Sequence, residues 1–198
     1  MKKIPTLFRR EFHNGKVVKI TQEVTEGMEW VLKGEGVATE KIDGVCCAII
    51  GGKFYRRYDA KRGKTPPENA IPCCDPDTVT GHWPHWVPVI DAPENKWFIN
   101  AYNNTPVKLN CTYEAIGPHF QGNPYGLSDD ILEPHGAKII EIERTFENVR
   151  YYLEHSYIEG IVFWRDGEPQ CKIKRSDFGF RWPINDEKEN DGGRILNS

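Results

Sequence analysis

The chain has 198 residues, of which 38% are apolar and 28% charged, with a formal net charge of −3. That is enough for one well-buried domain. No apolar run reaches the roughly 18 residues of a membrane helix, and the acidic balance excludes a surface that coats nucleic acid throughout.

Charge is nonetheless clustered. Lys53, Arg56, Arg57, Lys61, Arg62 and Lys64 crowd one stretch and Lys172, Lys174, Arg175 and Arg181 another, while part of the acidic surplus sits in Asp186-Glu187-Lys188-Glu189-Asn190-Asp191. A basic groove on an acidic body suits an enzyme that holds phosphates at one place. The six cysteines include the adjacent pairs Cys46-Cys47 and Cys73-Cys74, whose side chains point to opposite faces of a strand. Met1-Lys2-Lys3-Ile4-Pro5 is followed by no apolar stretch, so no secretory signal is expected. Reduced thiols and a cytoplasmic monomer without a membrane partner follow as expectations; a viral or phage source is left open.

In chain order, strand-like composition predicts strands over 16–24, 36–42, 45–50, 53–58, 97–101, 110–116, 137–142, 158–164 and 170–175. His13-Asn14-Gly15-Lys16 and Ile50-Gly51-Gly52-Lys53 read as hairpin turns, because both supply residues that accept positive φ. Helices are few. One short helix is expected over 26–32, before the Gly34-Glu35-Gly36 break, and a single turn capped by Ser128 before Pro134. Thr145 caps a helix to about 154 with Phe146, Val149 and Leu153 on one face. The Pro-rich stretch 65–93 lacks any period and predicts a long ordered loop. The expected fold is α+β, mainly antiparallel sheet, with one domain over 1–185 and a disordered tail over 186–198.

Chemistry gathers at Glu40-Lys41-Ile42-Asp43-Gly44. Lys41 and Asp43 are two apart, so a strand presents both to one side. A lysine is nucleophilic only when neutral, which burial, nearby cations or a metal can bring about. Gly44 permits a tight turn or close approach of backbone to a ligand. Alone, this pattern equally describes an exposed strand end and a turn. Downstream come Tyr113-Glu114-Ala115-Ile116-Gly117, Glu159-Gly160-Ile161-Val162-Phe163 and Lys172-Ile173-Lys174, each placing charge on a strand that otherwise reads as core. Lys172 and Lys174 share a face, suited to gripping one phosphate.

This ordered set resembles the covalent nucleotidyltransferase superfamily of ATP-dependent ligases and mRNA capping enzymes. Further runs are similar to the small 5′–3′ RNA ligases of animals and their viral and bacterial relatives: Thr80-Gly81-His82-Trp83-Pro84, Gln121-Gly122-Asn123-Pro124-Tyr125-Gly126, and Lys172-Ile173-Lys174-Arg175-Ser176-Asp177-Phe178-Gly179. The resemblance implies an ATP-grasp-like adenylyltransferase domain. It also implies enzyme adenylylation, transfer of AMP to an RNA 5′-phosphate, and attack by a 3′-hydroxyl. Roughly two dozen residues follow Lys174, too few for the five-stranded OB-fold that capping enzymes and most DNA ligases add, so none is expected.

By the same resemblance Lys41 is the nucleophile and Lys172 and Lys174 contact the α-phosphate, the three together forming the catalytic set. Glu40, Asp43 and Gly44 complete the nucleotide motif, Glu114 binds the ribose, and Glu159 holds Mg²⁺ or Mn²⁺. ATP is the AMP donor. Either Arg56 or Arg57 faces the site, since strand side chains alternate; Arg56 is favoured. Lys61, Arg62 and Lys64 are candidate RNA-phosphate contacts, or a solvated loop. The chain departs from the family pattern at Val45-Cys46-Cys47, where many members carry a polar or basic residue, and no adenine-stacking aromatic is assigned. Bland readings stand beside these: a turn role for Asp43, and ion pairs for Glu114 and Glu159. Cys73-Cys74 with His82 and His85 has irregular spacing for zinc and is set aside. Trp83 and Trp86 are read as pinning their loop. Other functions weighed are a capping-type guanylyltransferase, a DNA nick ligase and an inactive module that binds nucleotide or RNA ends.

Overall fold

A computed structural model describes residues 3–14, 16–61, 63–78 and 80–184. The expected tail and Arg62 lie outside the described residues. The chain opens with a hairpin of β1 (Phe8–His13) and β2 (Lys16–Val24), turned with Asn14 at φ 49°. A one-turn helix α1 (Glu29–Leu32) leads into β3 (Val37–Lys41), followed by the hairpin β4 (Val45–Ile50) and β5 (Lys53–Ala60). Gly51 and Gly52 both take positive φ in the hairpin turn, as expected of the Gly-Gly pair. Then come β6 (Ile71–Pro72), β7 (Trp83–Pro88), α2 (Lys96–Asn104), β8 (Thr112–Ile116), β9 (Ile131–Pro134), α3 (Phe146–His155), β10 (Gly160–Arg165) and β11 (Glu168–Lys174).

These strands make a two-stranded hairpin, a three-stranded sheet in the order β11-β10-β3 and a six-stranded sheet in the order β6-β7-β5-β4-β8-β9. Every pairing between these strands is antiparallel, and the α+β class holds. No helix among the described residues is long and apolar enough to cross a membrane.

Two cores stand behind the two larger sheets. The three-stranded sheet turns Ala38, Ile161, Phe163, Cys171 and Ile173 toward α1, α3 and the first hairpin. The six-stranded sheet turns Cys47, Ile49, Phe54, Tyr113 and Ala115 toward α2. The opposite face of the three-stranded sheet is left for other work, whereas that of the six-stranded sheet buries a small third cluster of Ala48, Tyr55 and Trp86 beside its polar residues.

Several expectations are corrected. Residues 97–101 are helical: Phe98, Ala101 and Tyr102 recur at three- and four-residue intervals and pack together on the α2 core, and Pro93 opens the preceding 3₁₀ turn. Residues 137–142 form no strand; Lys138 and Ile140 make backbone bonds to Glu40 and Ala38, each 2.8 Å, as a tether beside β3. The stretch 65–93 contains β6 and β7. Pro84 and Pro88 have the same parity, leaving the N–H groups between them available to the ladder. The turn capped by Ser128 gives way to β9.

Candidate active site

The free face of the three-stranded sheet carries the lysines. Register places Lys41, Gly160 and Lys174 in one row and Thr39, Val162 and Lys172 in the next. Gly160 is fixed here because a Cβ would lie 2.3 Å from the Ile173 carbonyl oxygen. Glu159 precedes β10, and its carbonyl accepts from the Arg175 N–H at 2.9 Å. Arg175 itself is buried, bonded to the carbonyls of Leu153, Ser156 and Arg181. This member of the basic cluster therefore caps α3 and holds the segment before Glu159.

The Lys41 ammonium donates to Glu159 Oε2, and Glu159 Oε1 lies 4.0 Å from Lys174 Nζ. Burial pushes the Glu159 carboxyl above its ordinary range, against the opposing pull of Lys41. Lys172 is held below the ordinary lysine value, first by burial and then by the like charges of Lys41 and Lys174. Three cations and one carboxylate leave this face with an excess positive charge, suited to a polyphosphate.

The free face of the six-stranded sheet stands opposite, and between the two lies a cavity of about 200 Å³. Lys41, Lys172, Glu40, Glu114, Arg57 and His135 are among its lining residues. Glu114 sits on β8 with Oε1 3.0 Å from His135 Nε2, while its Oε2 is buried with no hydrogen-bond partner. His135 was missed by sequence reasoning; a lone histidine between Pro134 and Gly136 carried no signal of its contact with Glu114. Cys46 pairs across from Glu114 in the ladder, and burial, followed by the Glu114 charge, pushes its thiol up to about 12. Arg57 reaches this face and bonds Asp59 at 2.8 Å. Arg56, favoured on sequence, points to the other face, where its Nε donates to Asn95 at 3.1 Å.

Asp43 lies beyond the cavity's lysine row. Its Oδ2 accepts from Trp182 Nε1 at 2.8 Å, and its N–H donates to the Tyr125 hydroxyl at 2.7 Å. Trp182 packs against Tyr125 and Tyr157. The aspartate is thus tied to the end of the described chain, a link no local motif could show. Gly44 has no room for a Cβ, which would fall 2.6 Å from the Ala115 carbonyl oxygen. Glu40 faces Lys138 at 3.8 Å, and burial raises its carboxyl above the ordinary value. Lys61 and Lys64 are exposed just past β5. Trp164 lines the cavity with its Nε1 bonded to Thr39 Oγ1 at 2.8 Å. Trp83 bonds the Cys74 carbonyl at 2.8 Å and Trp86 is buried, so both pin their segment.

No family model matches the chain. It is 27% identical to RNA ligase 1 of Mus musculus over 81% of this chain and 72% of that protein, and equally identical to RNA ligase 1 of Rattus norvegicus over 81% and 73%. RNA ligase 1 of Danio rerio is 26% identical over 75% of this chain and 69% of its own length. Taken with the lysine-lined cavity between the sheets, these similarities show that the chain resembles the RNA ligase family over four fifths of its length.

Proposed function

We propose that the chain is an ATP-dependent RNA ligase that joins 5′-phosphate and 3′-hydroxyl ends through a lysyl–AMP intermediate on Lys41. The observation that carries this reading is that Lys41 and Lys172 line one wall of a cavity whose other wall presents Glu114 and Arg57, with Glu159 beside it paired to both Lys41 and Lys174. Lys172 and Lys174 grip the α-phosphate from one strand, and Glu114 accepts from the ribose hydroxyls. Lys41 Nζ, once it has given up a proton, attacks the α-phosphorus; the bond to the bridging oxygen breaks and pyrophosphate leaves. An oxygen of the RNA 5′-phosphate then attacks the same phosphorus, the P–N bond breaks and Lys41 is restored. Finally the 3′-hydroxyl attacks the activated 5′-phosphate and AMP departs. Lys172 and Lys174 stay beside the phosphorus throughout, offsetting the charge that develops on its oxygens.

The donor chemistry of Glu159 fits a hard divalent cation, since one carboxylate together with substrate phosphates is a common way to hold Mg²⁺ or Mn²⁺. Such an ion would supply neutralisation of the polyphosphate charge. Glu159 is otherwise occupied by Lys41 and Lys174, so it also keeps the nucleophile oriented toward the cavity.

A strand-joining assay tests the reading. Labelled RNA with a 5′-phosphate and an adjacent 3′-hydroxyl should be sealed with ATP, and the same RNA with a 5′-hydroxyl should not. Sealing of DNA alone would move the reading to a nick ligase; dependence on GTP without sealing would move it to capping.

A further inference from the structure

We propose that Cys46, Glu114 and His135 form a binding site for a soft divalent cation of the zinc type on the six-stranded wall of the cavity. Among the described residues this is the one group in which three such side chains bring a ligand atom each, Sγ, carboxylate oxygen and ring nitrogen, within 4.8 Å of one another. Zinc takes these three donor types, at bond lengths of about 2.0–2.3 Å, which sets neighbouring ligand atoms about 3–4 Å apart. Glu114 Oε1 and His135 Nε2 already stand 3.0 Å apart.

The surroundings support a site rather than a chance cluster. His135 Nδ1 is 2.9 Å from Thr112 Oγ1, the outer hydrogen bond that fixes a ligating imidazole and leaves Nε2 for the metal. Glu114 Oε2 is buried without a hydrogen-bond partner, an arrangement that costs free energy unless something comes to it. Thr112 and Glu114 are on one strand and Cys46 is directly across from Glu114, so the sheet ladder itself fixes the spacing. Access exists from both sides: Glu114 and His135 line the main cavity, and Cys46 and Glu114 line an adjoining cleft of about 280 Å³.

Charge closes on the same side. Cation uptake replaces the thiol proton, which leaves to solvent, so thiolate and carboxylate together neutralise a divalent ion. Arg57, which interacts with Cys46, is itself paired with Asp59. Three protein ligands leave a fourth position open. Glu114 cannot serve the cation and a ribose at once, so the bound metal would exclude nucleotide; this last consequence rests on the ribose role proposed above, whereas the metal site does not.

Cobalt(II) is the probe, because a thiolate ligand gives a sulfur-to-cobalt charge-transfer band and tetrahedral coordination gives intense visible bands. Titration of the reduced protein should show both, saturating at one equivalent and bleached by added zinc. Cys46→Ser should remove the charge-transfer band, and His135→Gln should weaken cobalt binding at least tenfold. Cys74→Ser, on a thiol of the neighbouring loop, should leave both unchanged. Circular dichroism confirms folding of each variant, and His135→Gln carries the test alone if Cys46→Ser does not fold. Absence of a charge-transfer band in the wild type, or a band that survives Cys46→Ser, overturns the site. Neither readout depends on ligase activity, so failure here is distinguishable from failure of the ligase reading.

Discussion

At the scale of single residues, one position of alternation separates a cavity-lining side chain from a structural bond. Arg56 and Arg57 are neighbours on β5, yet Arg57 faces the lysines and Arg56 faces Asn95. Arg57→Ala should therefore lower RNA sealing at least tenfold, while Arg56→Ala should lower thermal stability and leave sealing within about twofold. Equal loss in both would contradict the assignment. Lys172 offers a second test. In the proposed reaction its cationic form grips phosphate, so the grip is present below its pKa in the folded protein and lost as pH rises through it. Burial and its two lysine neighbours hold that value below the ordinary one, so the alkaline limb of AMP transfer to the enzyme should begin below the range of a free lysine. Lys172→Arg, which keeps its charge to higher pH, should move that limb upward; a limb that stays put would tie it to another group.

At the scale of elements, local pattern was a good guide where a strand alternated or a cap was present, and a poor one where tertiary contacts decided. The bounds of β2 and β4, the Gly51-Gly52 turn and the Thr145 cap, whose hydroxyl accepts from the Asn148 N–H at 3.2 Å, were all legible in short windows. Residues 97–101 were not, because bulky apolar side chains suit a strand and a buried helix face alike. The site divides the same way. Lys41, Lys172, Lys174 and Glu159 are recognisable by order and spacing, whereas His135, Tyr125 and Trp182 reach it from distant segments. Asp130 illustrates such a distant link. It is buried, and burial alone would raise its carboxyl, but hydrogen bonds from Asn100 and from the His119 backbone and ring outweigh this and hold it below the ordinary value. Its stabilisation is thus present above the unfolded carboxyl pKa and lost as pH falls through the folded one. Asp130→Asn should cost about 2 kcal/mol in urea unfolding at neutral pH and flatten the acid limb of the stability curve; an unchanged limb would place that limb elsewhere.

At the scale of the whole molecule, two antiparallel sheets each bury one face in a separate core, and side chains of their other faces meet across a shared cavity. Lysines stand on one wall, with Glu114, His135 and Arg57 on the other. That division lets a net acidic protein concentrate positive charge at one place. The central claim is that Lys41 carries AMP covalently, and the most direct measurement is intact mass after incubation with Mg²⁺ and ATP, beside Lys41→Ala. The expected result is a gain of one AMP with ATP, none with GTP, and none in the variant. An equal gain in Lys41→Ala, or none in folded wild-type protein shown to start free of AMP, would contradict it.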